Sequence, residues 1–254
     1  MRIQEQFDAL RAKKEKALIV YLTAGFPTLD GFIQSLKETA EAGADIIEIG
    51  IPFSDPIADG PTIQTSSQIG LENGATLPVI LNAIRNLDLK VPLVFMSYFN
   101  PLLAYGQDKL LTDMTEVGVT GLIIPDLPVE EAESWKAAAH SINVDTIFLV
   151  TPNSSDDRIR LIAEASTGFV YCVSLTGITG ARTNLSGDVS GFLDRVKSHT
   201  KTPIAVGFGI STPEHILNLK DHADGLIVGS RVIDAIRNGE DLGKLIRELK
   251  DATR

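Results

Sequence analysis

Apolar residues gather along the chain in eight short runs with longer stretches of mixed polarity between them. The runs are ALIVYLT at 17–23, ADIIEIG at 44–50, VPLVFMS at 91–97, TGLIIPD at 120–126, DTIFLV at 145–150, GFVYCVS at 168–174, TPIAVGFG at 202–209 and ADGLIVGS at 223–230. They are continuous rather than alternating and rich in β-branched residues, which suits strands buried on both faces, as in a parallel sheet covered by helices. The stretches between them, such as LDGFIQSLKETAEAG and VEEAESWKAAAHSI, carry apolar residues three and four apart with Asp or Glu near the start, the pattern of helices.

Strand and helix therefore alternate, and the fold class is α/β. A doubly wound open sheet alternates in the same way but usually with fewer strands at this length. Eight runs in 254 residues favour a closed (β/α)8 TIM barrel spanning 1–254 as a single domain. An additional helix is expected at the N-terminus, and a short one where Gly229 and Ser230 follow the last run. No low-complexity linker or shift in composition marks a second domain.

Composition narrows the partners. With 44% hydrophobic residues the chain can bury a large core, while 23 Lys and Arg against 33 Asp and Glu give a net charge of -10. Nucleic acid, whose affinity comes from neutralised phosphates, is a poor match for that balance. Cys172 is the only cysteine, so no internal disulfide forms and a reducing compartment fits. The N-terminal MRIQEQFDALRAKKEKALIV is charged before any apolar run and has no small-residue cleavage site, which reads as a cytoplasmic protein without signal peptide or membrane span.

In barrels of this kind chemistry sits where strands end, and the opposite face serves stability. The strand ends offer Thr23, Glu48, Ser97 with Tyr98, Asp126, Thr151, Ser174, Gly207 and Gly229. Lys16, Lys90 and Lys201 all precede strands and fall on the wrong face, which removes the lysine that an imine-forming aldolase needs. His140, His199, His215 and His222 lie in predicted helices or just past them, with no spacing suited to a metal, so no metal ligands are assigned. A hydrolase elbow of the G-x-S-x-G type is also missing.

Three glycine-bearing turns fall on the last three strand ends: TGITGA at 176–181, GFGIS at 207–211 and GSRVI at 229–233. Single glycines often do no more than make tight turns. Three on adjacent strand ends favour a phosphate site, in which backbone N–H groups at the start of a short helix substitute for basic side chains. The other constellation is EIGIPFSDPIADGPTIQ, Glu48 to Gln64, which sets Glu48, Asp55 and Asp59 among three prolines with no basic residue to balance them. Alternation places Ile46 and Glu48 on one face of a strand. If that face is the barrel interior, desolvation raises the glutamate's pKa toward the range useful for acid/base work. A structural acid is the competing reading for Glu48, and turn formation for Asp55 and Asp59; turn chemistry alone does not separate the last two.

The segment ADIIEIGIPFSDPIADGPTIQ resembles the signature of the tryptophan synthase alpha chain family. The likeness extends through YLTAGFP, NPLLAYG, LIIPDLPVEE, SLTGITGAR, GFGIS and IVGS, nearly the whole chain. The resemblance implies reversible cleavage of indole-3-glycerol phosphate to indole and glyceraldehyde 3-phosphate. It makes Glu48 and Asp59 the catalytic pair: Glu48 protonates the C3 carbon of the indole ring and Asp59 stabilises the positive ring nitrogen. It places Tyr21, Met96, Ile123, Leu149 and Phe208 around the indole ring, with Tyr171 as an active-site tyrosine and Thr179 as the threonine of a mobile sixth loop. The Tyr21 hydroxyl needs a polar partner in that apolar pocket. Gly180, Gly209, Gly229 and Ser230 match phosphate-binding positions.

The resemblance also implies a partner, the tryptophan synthase beta chain, in an alpha-beta-beta-alpha tetramer. Pro52, Asp55, Asn100, Leu103 and Pro128 fall in segments that match the family's contact surface. No cofactor is expected in this chain; pyridoxal phosphate belongs to the beta partner. The competing readings are indole-glycerol-phosphate synthase, phosphoribosylanthranilate isomerase and a catalytically idle barrel kept as an allosteric subunit. The missing strand-end lysine argues against the first, a lone cysteine in mid-strand against the second, and the intact pair of acids against the third.

Overall fold

The computed structural model describes residues 2–173, 189–207 and 209–254. Nine strand segments, β1 (Ala17–Thr23), β2 (Ile46–Gly50), β3 (Leu93–Met96), β4 (Val119–Ile123), β5 (Asp145–Ile147), β6 (Leu149–Val150), β7 (Val170–Val173), β8 (Ile204–Gly207) and β9 (Gly225–Val228), form one sheet. All pairings are parallel, in the order β5-β4-β3-β2-β1-β9-β8-β7-β6. The two ends of that order, β5 and β6, are separated in the chain by Phe148 alone, so the sheet closes on itself as a barrel of eight strands.

All eight predicted strands are present, but the fifth is split. Phe148 gives its N–H to Ser166 Oγ at 3.2 Å instead of to a neighbouring carbonyl, while its own carbonyl accepts from Tyr171 N–H at 3.0 Å. A side chain substituting in the ladder breaks the strand without opening the barrel. The stretch expected as one helix from Val129 also divides, into a 3₁₀ turn at Val129–Glu131 and a helix at Glu133–Ser141.

Alternation sorts the strand residues into two cores. Leu18, Val20, Leu22, Ile47 and Ile49 face outward and pack under the helices, whereas Ala17, Ile19, Ile46, Val94, Ile123, Ile147 and Ala205 fill the barrel. Full burial of each Ile or Leu contributes about 1.5–3 kcal/mol. The N-terminal helix α1 (Ile3–Lys13) caps one mouth: Ile3, Phe7 and Leu10 join the barrel-filling cluster, and the Phe7 and Phe169 rings lie 6.1 Å apart. At the same end the C-terminal helix, Leu242–Ala252, is pinned by Lys250, whose Nζ lies 2.9 Å from Asp45 Oδ2 and 3.1 Å from Glu15 Oε2. The closed bottom leaves the ends of the strands, at the other mouth, as the accessible face. No helix among the described residues is long and apolar enough to cross a membrane.

Candidate active site

Glu48 sits in mid-strand on β2, paired in register with Tyr21 on β1 and Val94 on β3. Its neighbours Ile47 and Ile49 face the outer core, so the carboxyl points into the barrel, with 1% of the residue exposed. Neither carboxylate oxygen has a hydrogen-bond partner among the described residues. Burial, with a smaller push from Asp59, raises its pKa from 4.5 to about 8. An ionised carboxylate left unpaired in such a site is strongly disfavoured, so the group holds a proton near neutral pH.

Asp59 comes from the Pro/Gly loop between β2 and the helix Pro61–Glu72. Pro61 starts that helix, Gly60 caps it without a side-chain bond, and Asp59 N–H bonds to Pro56 carbonyl at 3.1 Å. The acid is anchored from β3: the Tyr98 hydroxyl, just past that strand, donates to Asp59 Oδ2 at 3.0 Å and accepts from Ala58 N–H at 2.9 Å. Burial raises the Asp59 pKa from 3.8 to about 6, opposed by the Tyr98 hydrogen bond. Between these values Glu48 is protonated while Asp59 is ionised, which gives one acid and one charged acceptor in one site. Asp55 is different: it is exposed and accepts from its neighbour Ser54 at 2.6 Å.

Two phenols bracket Glu48, each lying across a glycine of the next strand. A Cβ on Gly50 would fall 2.0 Å from the Tyr21 hydroxyl, and one on Gly207 would fall 2.5 Å from the Tyr171 hydroxyl. Only glycine leaves room for these rings. Burial pushes both phenols well above their ordinary pKa; of the two acids, Asp59 acts more strongly on Tyr21 and Glu48 on Tyr171. The Tyr21 hydroxyl accepts a long hydrogen bond, 3.5 Å, from Thr23 Oγ1, which is the polar partner its position demands.

The expected ring-lining residues converge here. Met96 touches both the barrel-filling cluster with Ile123, Leu149 and Tyr171 and the smaller cluster that holds Tyr21 with Phe26, Ile63 and Ile233. Phe208, Thr179 and Gly180 lie outside the described residues. A cavity of about 330 Å³ opens between Ile124–Val129 and Phe148, Leu149 and Arg158. Of the described ring-lining residues it touches Leu149 alone, and neither Glu48 nor Asp59 lines it.

At the ends of β8 and β9, the latter paired with β1, Gly209 adopts φ +85° and Gly229 caps the helix Ser230–Asn238 with no side-chain bond. Among the described residues the first two N–H groups of that helix and the Ser230 hydroxyl have no hydrogen-bond partner, as free donors at a helix start do. Among the expected partner positions, Asp55, Asn100, Leu103 and Pro128 are exposed near the strand ends. Pro52 is not: it is buried against Gly70 and shapes the loop from within. No group of three or more His, Cys, Asp or Glu among the described residues is placed to hold a metal.

In the sequence Tyr98 stands at a strand end, with no role implied for it there. Its alternation with Met96 was the available signal, since both then face the mouth of the barrel. Gly50 and Gly207 as seats for phenols carry no local signal, because the ring that needs each one comes from another strand.

Known proteins resemble the chain over nearly its whole length. A family model described as tryptophan synthase alpha chain matches residues 7–253. The tryptophan synthase alpha chain of Thermoanaerobacter sp. (strain X514) is 45% identical over 251 residues, covering 98% of this chain and 95% of that protein. That of Methanosarcina mazei is 47% identical over 254 residues, covering 98% and 93%. Among solved structures, tryptophan synthase from M. tuberculosis in its aminoacrylate-bound form superposes with a TM-score of 0.90 at 35% identity, covering 100% of this chain and 99% of that one. The tryptophan synthase alpha chain from Legionella pneumophila subsp. pneumophila gives 0.89 at 32%, covering 99% and 97%. With a family model and relatives of 45–47% identity matching nearly its whole length, the chain belongs to the tryptophan synthase alpha chain family.

Proposed function

We propose that the chain cleaves indole-3-glycerol phosphate reversibly to indole and glyceraldehyde 3-phosphate, with Glu48 as general acid and base and Asp59 as electrostatic stabiliser. The observation that carries this reading is the unpartnered Glu48 carboxyl, 1% exposed and held protonated near neutral pH in front of an ionisable Asp59. Glu48 gives its proton to C3 of the indole ring, and the ring nitrogen becomes positive. Asp59 accepts a hydrogen bond from that N–H and stabilises the charge, an interaction strengthened where water is excluded. The Glu48 carboxylate then takes the proton of the glycerol hydroxyl. The carbon–carbon bond breaks, its electron pair returns to the ring, and an aldehyde and indole leave.

The phosphate of the substrate sits at Gly209, Gly229 and Ser230, reached by backbone donors in a strongly acidic protein. No cofactor takes part in this chain on this reading, and pyridoxal phosphate belongs to the beta partner. The partner is a tryptophan synthase beta chain, in an alpha-beta-beta-alpha tetramer.

Indole release from indole-3-glycerol phosphate tests the reaction, measured on the chain alone and with a beta chain. Release that Asp59→Asn abolishes and Asp55→Asn spares is the expected result. No release under either condition would leave an idle allosteric barrel as the better reading.

A further inference from the structure

The cleavage chemistry gives no task to the hydroxyl of Tyr21, whose strand pairs with that of Glu48. It stands over Gly50, two residues beyond Glu48 along β2 and on the way to the loop that carries Asp59, at the spot where a Gly50 side chain would otherwise project. Its ring is held among Phe26, Ile63 and Ile233. Behind the hydroxyl lies the helix after Asp59: Thr23 Oγ1, 3.5 Å from the phenol, is bonded at 2.7 Å to Ser66 Oγ, which donates to Ile63 carbonyl at 2.9 Å. A phenol packed on three elements and fitted over Gly50 with no room for a Cβ is a rigid wall, not a group that yields to a ligand.

The next step rests on the proposed function. If Glu48 works at C3 of the ring and Asp59 at its N–H, the atom bonded to both positions is C2, and a hydroxyl over Gly50, on the strand between Glu48 and the Asp59 loop, is set against that edge. We propose that Tyr21 is a specificity-determining residue whose hydroxyl walls off the C2 edge of the substrate ring and excludes rings substituted there. A hydroxyl and a methyl group are of similar size, so removing the first makes room for the second. Electronic effects do not mimic this exclusion, because a 2-methyl group donates electrons and makes C3 more nucleophilic.

The reverse reaction supplies the test. Indole C3 forms a bond to the aldehyde carbon of glyceraldehyde 3-phosphate, the C3 proton departs, and the aldehyde oxygen takes up a proton. Values of kcat/KM are compared for indole, 2-methylindole and 6-methylindole with the wild-type protein and Tyr21→Phe. Wild type is expected to disfavour 2-methylindole relative to indole by about tenfold or more, the discrimination one methyl group commonly gives in a tight pocket. Tyr21→Phe should recover most of that loss while leaving the ratio of 6-methylindole to indole unchanged. Equal use of indole and 2-methylindole by wild type overturns the inference without recourse to any variant. So does a 2-methylindole ratio that Tyr21→Phe fails to move. Failure of the wild-type protein to condense unsubstituted indole, alone or with a beta chain, overturns the proposed function itself.

Discussion

The Tyr98 hydroxyl holds Asp59 from two directions, donating to its Oδ2 at 3.0 Å while accepting from the backbone N–H of Ala58 at 2.9 Å. One phenol from the end of β3 thus fixes both the side chain and the peptide of a loop that begins on β2. The bond also opposes the burial that raises the Asp59 pKa to about 6, so it keeps the acid ionised over more of the neutral range.

Tyr98→Phe removes the donor and raises the Asp59 pKa further. The acidic limb of the kcat/KM profile, set by ionisation of Asp59, should therefore move to higher pH. Turnover near neutrality should fall by about tenfold, matching loss of one hydrogen bond to a charged group. A profile recorded from pH 5 to 9 decides it: lower activity with an unmoved acidic limb would mean that Tyr98 supports the loop without tuning Asp59.

Glu48→Gln should lower turnover by at least about 100-fold, the range for losing a general acid. It should also alter stability in a way a purely structural residue would not. The folded protein keeps the Glu48 proton up to about pH 8, whereas the unfolded chain releases it near 4.5. This residue's contribution is therefore complete below about 4.5 and is lost as pH rises toward 8. Between pH 6.5 and 8.5 that loss amounts to about 2 kcal/mol. Urea unfolding of wild type and Glu48→Gln at those two values should show the drop in wild type and its near absence in the variant. Parallel pH dependence in the two proteins would mean that Glu48 is not held protonated.

Glu48 was legible in the sequence because period-two alternation with Ile46 is a local property of the strand. The eight strands were legible for a similar reason, since burial on both faces makes each an unbroken apolar run. What escaped depends on groups distant in the chain. The break at Phe148 comes from Ser166, and Asp59 is set apart from Asp55 by Tyr98, 39 residues away. Nothing local distinguishes Gly50 from a glycine in a turn; it is needed because Tyr21 crosses it from β1. Pro52 falls in a segment matching the family's contact surface, and its burial comes from the Gly70 helix, which no local feature of that segment announces.

Phosphate recognition is predicted to depend on backbone. Gly209 is exposed at φ +85°, a conformation that a β-branched residue adopts only under strain. Gly209→Val should raise KM for indole-3-glycerol phosphate by about tenfold or more and abolish competition by glycerol phosphate. Ser230→Ala, which removes one hydroxyl and no backbone donor, should cost about fivefold in KM, in keeping with one ordinary hydrogen bond. Normal substrate affinity in both variants would place the phosphate elsewhere.

The loop that holds Asp59 and the helix after Tyr98 are also the surface a partner would use. Ile57, 82% exposed, lies two residues before Asp59, and Leu103, 58% exposed, lies on the helix that follows Tyr98. Large apolar side chains left in water beside the exposed Asp55, Asn100 and Pro128 favour a protein surface settling on this mouth. Such docking would bear on the Asp59 loop from outside while Tyr98 holds it from inside, linking association to catalysis. Addition of a beta chain should therefore raise indole release. Asp55→Lys should weaken that activation more than it weakens activity of the isolated chain, because Asp55 faces solvent and makes no bond to the catalytic groups. Leu103→Asp should raise the beta-chain concentration needed for half-maximal activation by more than about tenfold, as loss of a buried apolar anchor does. Titration of the cleavage reaction with purified beta chain settles the matter: an unchanged rate at saturation, with complex formation verified independently, would show that the two surfaces meet without acting on the Asp59 loop.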